Sequence, residues 1–276
     1  MTSSPEARAT ESLNLDDEAG GGLFDPSALA DLLNEFPLRP ARVHHKLNAD
    51  GWLSVPRLSL TAGAMPTSQV TVTTTEGIVA TTPAALAVQQ WASGGVSVHL
   101  TRLELIRDYA QPFTEGLRVF RQLCGSLTGP TGDPNIELDL LAPGSQAVLT
   151  PSPHHRLWVQ FRGAVIADVT NAMDKSATPL LGCALSETDA LYVPPLTEAG
   201  ITAEDSTGAL CLTWQSPFAV DIADAAALRH SFMGRFLGKD VALTSDRVRG
   251  QAKLFRVLQK FASPLVSRRE PPTSGN

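Results

Sequence analysis

Residues 135–163, NIELDLLAPGSQAVLTPSPHHRLWVQFRG, decide how this chain is read. Ile136, Leu138 and Leu140 alternate with Glu137 and Asp139, the two-residue period of a strand with one buried face. Pro143-Gly144 breaks that strand. Leu157, Val159 and Phe161 then alternate with Trp158, Gln160 and Arg162 as far as Gly163, so the stretch reads as two strands joined by a turn. Thr150, Pro151, Ser152, Pro153, His154 and His155 lie between them. A turn of this kind forms the mouth of a barrel, and its residues are the first candidates for a site.

The rest of the chain fits a β-rich setting. With 276 residues and 43% hydrophobic side chains it can bury a substantial core without disulfide staples. Its 20 prolines and 21 glycines are scattered, which predicts many short strands and turns. Cys124, Cys183 and Cys211 are far apart with no CxxC pair, so free buried thiols are expected. The beginning of the chain lacks a basic-then-apolar signal, and no run approaches the roughly 20 apolar residues of a membrane span. A soluble, cytoplasmic protein without membrane contact is expected. Net charge is −6; from Arg229 onward ten Lys/Arg face three acidic residues, a net of +7 that leaves −13 for the remainder. The two parts can attract each other or a second subunit.

In chain order, residues 1–22 are polar and read as a flexible leader. Asp25 and Pro26 open a helix carrying Leu29, Leu32, Leu33 and Phe36 at helical spacing, ended by Pro37. The adjacent His44 and His45 are not spaced as a ligand pair and read as surface or capping residues. Gln69–Thr75 and Val96–Thr101 alternate as strands, and Pro83–Ala92 is a short helix stopped at Gly94-Gly95. TEGLRVFRQLCG, from Thr114, is an amphipathic helix stopped by Gly125. Strands follow at 165–169, around Tyr192-Val193, and at 210–214; Lys175 lies in a polar connection. From about Ala223 the pattern turns helical, and Arg249, Lys253, Arg256 and Lys260 share a basic face. That face reads as solvated: no nucleic-acid motif accompanies it and the rest of the chain is acidic.

The segment LLAPGSQAVLTPSPHHRLWVQFRG, then DALYVPP, then ALRHSFMGRFLG with its basic helix, resembles bacterial cupin-like proteins of the JmjC type, relatives of iron(II)- and 2-oxoglutarate-dependent hydroxylases. The resemblance runs from about Phe24 to Arg269. It implies a mainly β (α+β) fold: a double-stranded β-helix (cupin, jelly-roll) core at 23–222, flanked by N-terminal helices and followed by a helical tail at 223–276. Gln160 and Gly163 fall where the family has Gln and Gly. Such oxygenases hold iron with two histidines and a carboxylate. The same alignment puts Thr150 at the first histidine, Ser152 at the aspartate and Ala199 at the second histidine, and Val165 where many members carry the lysine for 2-oxoglutarate. The resemblance therefore implies a degenerate member with no metal and no cofactor.

Three functions follow. In the first, a metal-independent enzyme of cyclase, isomerase or dehydratase type uses His154, His155, Arg156 or Tyr192, in a pocket lined by Thr150, Ser152, Trp158 and Gln160. In the second, a non-catalytic pseudo-oxygenase binds a small-molecule ligand or an active partner, forming a homodimer or heterodimer through its C-terminal helices. In the third, iron chemistry survives on an unusual ligand set such as His154, His155 and either Glu198 or Asp139. Arg156 either fills the emptied metal site with a fixed positive charge or points to solvent. A barrel filled with its own side chains favours the second reading; a closed pocket holding His154, Arg156 and Tyr192 favours the first.

Overall fold

The computed structural model of the chain describes residues 23–24, 26–47, 51, 53–110, 118–171, 179–230 and 245–266. The leader at 1–22, Asp25, Trp52, the segment 114–117 and Lys175 lie outside the described residues.

The quoted stretch is three strands, not two: β4 (Asn135–Leu141), β5 (Gln146–Leu149) and β6 (His155–Arg162). Gly144, with φ +75°, turns the chain between β4 and β5, which belong to different sheets. Around this unit lie β1 (Ala41–His44), β2 (Val70–Thr74), β3 (Val96–Leu100), β7 (Val165–Asn171), β8 (Leu181–Leu185), β9 (Asp189–Val193), β10 (Thr197–Ala203) and β11 (Thr207–Trp214). A seven-stranded sheet runs β1-β9-β6-β11-β4-β3-β2, and a four-stranded sheet β5-β10-β7-β8. Every pairing is antiparallel, and β4–β11, β5–β10, β6–β9 and β7–β8 nest inside one another. This is a double-stranded β-helix, the cupin or jelly-roll core.

The large sheet packs on both faces. Its outer face meets α1 (Pro26–Glu35), α2 (Val55–Ala64), α3 (Ala84–Ala92) and α4 (Arg118–Thr128), burying Leu138, Leu140, Leu157, Val159 and Trp91. Complete burial of such a leucine stabilises the fold by about 1.5–3 kcal/mol. Trp91 Nε1 donates to the carbonyls of Leu141 and Thr207, pinning α3 to β4 and β11. Its inner face meets the small sheet, and Trp158, Leu191, Val193, Val169, Ile201 and Cys211 fill the barrel.

Two positions require glycine, one for its backbone in a turn and one for a close approach within a strand. Gly163, with φ +72°, joins β6 to β7, and a Cβ there would stand 2.2 Å from Asp205 Oδ1 and 2.9 Å from Thr207 Oγ1. Gly208 faces the Phe161 ring, where a Cβ would meet Cζ at 2.5 Å.

Several boundaries differ from expectation. α4 continues past Gly125 to Thr128, whose Oγ1 donates to the Cys124 carbonyl. The C-terminal helices begin at Pro217, earlier than Ala223, because Ser216 Oγ accepts the Ala219 N–H at the start of α5 (Pro217–His230). In α6 (Ser245–Val266), Arg256 pairs with Asp221 and Asp224 of α5 at 2.6 Å each, and the Arg249 guanidinium lies 5.5 Å from the centre of the Phe218 ring. The basic face thus packs partly back onto its neighbour. Cys124 and Cys211 are buried and Cys183 half-buried, all as free thiols. No described helix is long and apolar enough to cross a membrane.

Candidate functional site

The mouth of the barrel is where β5 ends, β6 begins and β10 starts. Thr150 is exposed, Ser152 half-buried, and Ala199 wholly buried opposite Leu149 of β5 and Val169 of β7. Leu196, at φ +62°, donates its N–H to the Ser152 carbonyl at 2.8 Å, and Thr197 Oγ1 donates to the Pro194 carbonyl at 2.7 Å. The first bond holds the two loops of the mouth against each other, and the second closes the turn between β9 and β10.

Arg156 occupies the space between them. Its side chain leaves β6 toward the inside of the barrel, and only 5% of the residue is exposed. Nη1 donates to the Thr150 carbonyl and Nη2 to the Thr197 carbonyl, each at 2.5 Å. One guanidinium thereby ties the end of β5 to the start of β10. Among the described residues no carboxylate pairs with it, and burial pulls its pKa down. Arg156 Nε and Ser152 Oγ are buried with no hydrogen-bond partner there.

These residues do not fit an iron centre. Thr150, Ser152 and Ala199 offer no imidazole and no carboxylate, and the Thr150 carbonyl is already taken by Arg156. Val165, where the resemblance puts the co-substrate lysine, is fully buried in the barrel core. A fixed positive charge in the mouth repels a divalent cation. Among the described residues no group of three His, Cys, Asp or Glu side chains can hold a metal ion. The set His154, His155 with Glu198 or Asp139 is not assembled, because both His155 nitrogens are engaged elsewhere and Asp139 pairs with His99.

The candidates His154, His155, Arg156 and Tyr192 do not share a pocket. Side chains alternate along β6, so His155 faces the helices while Arg156 faces the barrel. His155 is fully buried: Nδ1 lies 2.8 Å from Tyr192 Oη and Nε2 2.8 Å from Ser216 Oγ, with Phe36 and Trp214 stacked on the ring at 5.3 Å each. Tyr192 Oη donates to the Pro37 carbonyl at 3.0 Å. Its single proton being so used, His155 donates from Nδ1 to Tyr192 and accepts at Nε2 from Ser216. Desolvation, with a small contribution from His154, pushes the His155 pKa down to about 3. His154 stays half-buried in the loop before β6. Trp158 and Gln160 face the barrel but satisfy each other, Trp158 Nε1 donating to Gln160 Oε1 at 2.9 Å; both are completely buried. They fill the interior of the barrel, whereas Thr150 is exposed and Ser152 half-buried at its mouth.

The other histidine pair separates in the same way. His45 is buried, accepts the Leu47 N–H at Nδ1 and donates from Nε2 to the Gln160 carbonyl at 2.7 Å. His44 lies exposed against Asp189, which also takes Arg42 at 3.0 Å. Sequence reasoning missed the partners of His155, since Tyr192 and Ser216, like the Pro37 that Tyr192 bonds in turn, come from distant segments.

No family model matches the chain, and no curated protein matches it. Among solved structures, YcfD, a ribosomal oxygenase from Escherichia coli, is similar at 12% identity and TM-score 0.47 over 84% of this chain and 64% of that one. Its complex with cobalt and 2-oxoglutarate is similar at 11% identity and TM-score 0.47, over 81% of this chain and 63% of that one. A salicylate 1,2-dioxygenase from Pseudoaminobacter salicylatoxidans, as an adduct with gentisate, matches 29% of this chain and 20% of its own at 16% identity and TM-score 0.25. The chain thus spans less than two thirds of the length of the ribosomal oxygenase, 64%. At these values the assignment of the double-stranded β-helix stands on the strand order alone.

Proposed function

We propose that this chain is a non-catalytic protein of the oxygenase fold, in which an internal arginine stands where related proteins hold iron, and that it acts by binding a ligand or an active partner subunit. The observation that carries this reading is the Arg156 guanidinium bonded to the Thr150 and Thr197 carbonyls. A cross-brace of this kind gives the strand ends of the mouth a reason to stay together without a metal ion. The burial of Trp158, Leu191, Val193 and Ile201 inside the barrel supports it, since large apolar side chains occupy the interior. The separation of His155 and Tyr192 from Arg156 weighs against a metal-independent enzyme built from all three. Partner contact would involve the α5–α6 hairpin, the basic end of the chain.

The test is to purify the protein without chelator, load it anaerobically with iron(II) and 2-oxoglutarate, and measure bound metal and succinate release. Bound iron well below one equivalent and no succinate above a protein-free control are expected. Stoichiometric iron, or turnover of 2-oxoglutarate, would overturn the reading of Thr150, Ser152 and Arg156.

A further inference from the structure

The two sheets are unequal, and the inequality creates a second site. Beyond β4 the large sheet continues into β3 and β2, whereas the small sheet ends at β5. The inner face of β4, β3 and β2 therefore overhangs the β5 edge and leaves a groove of about 410 Å³. This lies within the roughly 300–1,000 Å³ of small-molecule sites.

The strands present opposite chemistry on their two faces. Val72, Val98, Leu100 and Leu138 point into the helix-side core. Thr71, Thr73, Ser97, His99, Glu137 and Asp139 line the groove. Asp139 is nearly buried and takes His99 Nδ1 at 2.7 Å, which raises the His99 pKa and favours a charged imidazole. That pair is internally neutralised. Glu137 is different: half-buried, it makes no hydrogen bond or ion pair with any described residue. Burial raises its pKa, and Asp139 and Glu104 push the same way against the opposing effect of His99. No lysine or arginine is among the residues lining the groove.

The surplus charge is thus negative, and it selects among ligands. An anion would meet Glu137 and Asp139 without a free cation to receive it. A metal ion lacks a third ligand among the described residues. A neutral ligand leaves the Glu137 carboxylate unmatched. A polyatomic cation with N–H donors satisfies it, with the Thr71 and Thr73 hydroxyls at hand to accept further hydrogen bonds.

We propose that this groove binds a protonated amine, with the ammonium group on Glu137 and the attached chain lying along the hydroxyl-lined wall of β2. The site is separate from the barrel mouth and does not depend on the reading given to Arg156.

The test is calorimetric titration of the full chain with 1,4-diaminobutane, standing for a free amine, and with Nα-acetyl-lysine amide, standing for a lysine side chain. 1,4-Butanediol and succinate serve as neutral and anionic counterparts. Saturable binding of at least one amine is expected, weakened about tenfold or more in Glu137→Gln and lost in Glu137→Lys. Neither counterpart should bind. The amine that binds identifies the source. Failure of both amines to bind, equal binding of the diol, or unchanged affinity in Glu137→Gln overturns the proposal. Circular dichroism confirms that the variants are folded; should Glu137→Lys fail, Glu137→Gln decides alone, because its side chain is isosteric and breaks no hydrogen bond among the described residues.

Discussion

Lowering the pH from 7.5 to 5.0 should cost the folded state about 2 kcal/mol through His155 alone. The ring is sealed between Phe36 and Trp214, and its folded pKa is pushed from 6.5 down to about 3. The unfolded chain binds a proton there at about pH 6.5 while the folded chain refuses it until about pH 3. In that window the unfolded state holds more protons, so stability is fully present above pH 6.5 and falls as the pH drops toward 3. At pH 5.0 the gap from 6.5 amounts to about 1.5 pH units at about 1.4 kcal/mol each. The assay is urea denaturation followed by tryptophan fluorescence, at pH 7.5 and 5.0, for wild type and His155→Gln. Other titrating groups, His45 included, contribute alike to both proteins, so the difference of differences isolates His155. The variant should be less stable at pH 7.5 and lose about 2 kcal/mol less than wild type on acidification. Equal losses in the two proteins would refute the reasoning and mean that the ring reaches solvent.

Two further substitutions test the frame. Gly163→Ala places a Cβ against Asp205 and Thr207 at a positive φ, and should lower stability by about 2 kcal/mol or more, read as a drop in the urea midpoint. Arg156→Ala removes the cross-brace and leaves a cavity, with an expected loss of about 2–4 kcal/mol, whereas Arg156→Met keeps the volume but leaves the Thr150 and Thr197 carbonyls without their donors, and should still lose about 1–3 kcal/mol. Wild-type stability in Arg156→Met would mean that packing, and not the hydrogen bonds, holds the mouth.

Much of the fold was legible where strands carry strong alternation. β3, β4 and β6 declare themselves through Val96-Val98-Leu100, Ile136-Leu138-Leu140 and Leu157-Val159-Phe161. β8 and β10 did not, because LGCAL and TEAGITA use glycine and alanine where β-branched residues would mark a strand. Two of the inward side chains of β10 are small: Ala199 and Ala203 pair with Val169 and Val165 across the ladder. β5 is four residues long and lies after a Pro-Gly break, so it merged with the turn. The helix α2, VPRLSLTAGA, went unread because Pro56, Gly63 and the β-branched Val55 and Thr61 dilute its helix formers. Grouping the neighbours His155 and Arg156 in one site ignored the period of the strand that carries them. The groove was also within reach: polar alternates of three strands pointing one way are a pattern, but only the sheet order shows that they converge.

The arginine in the mouth also constrains redesign. While Arg156 remains, a metal centre cannot be built there one residue at a time. A carboxylate introduced at position 152 would find the unpaired guanidinium before it found a metal ion, and the resulting ion pair would tighten the brace. An imidazole at position 150 or 199 would face a charge that repels its intended cation. Arg156 would therefore have to be replaced before any ligand introduced at 150, 152 or 199 could serve a metal ion.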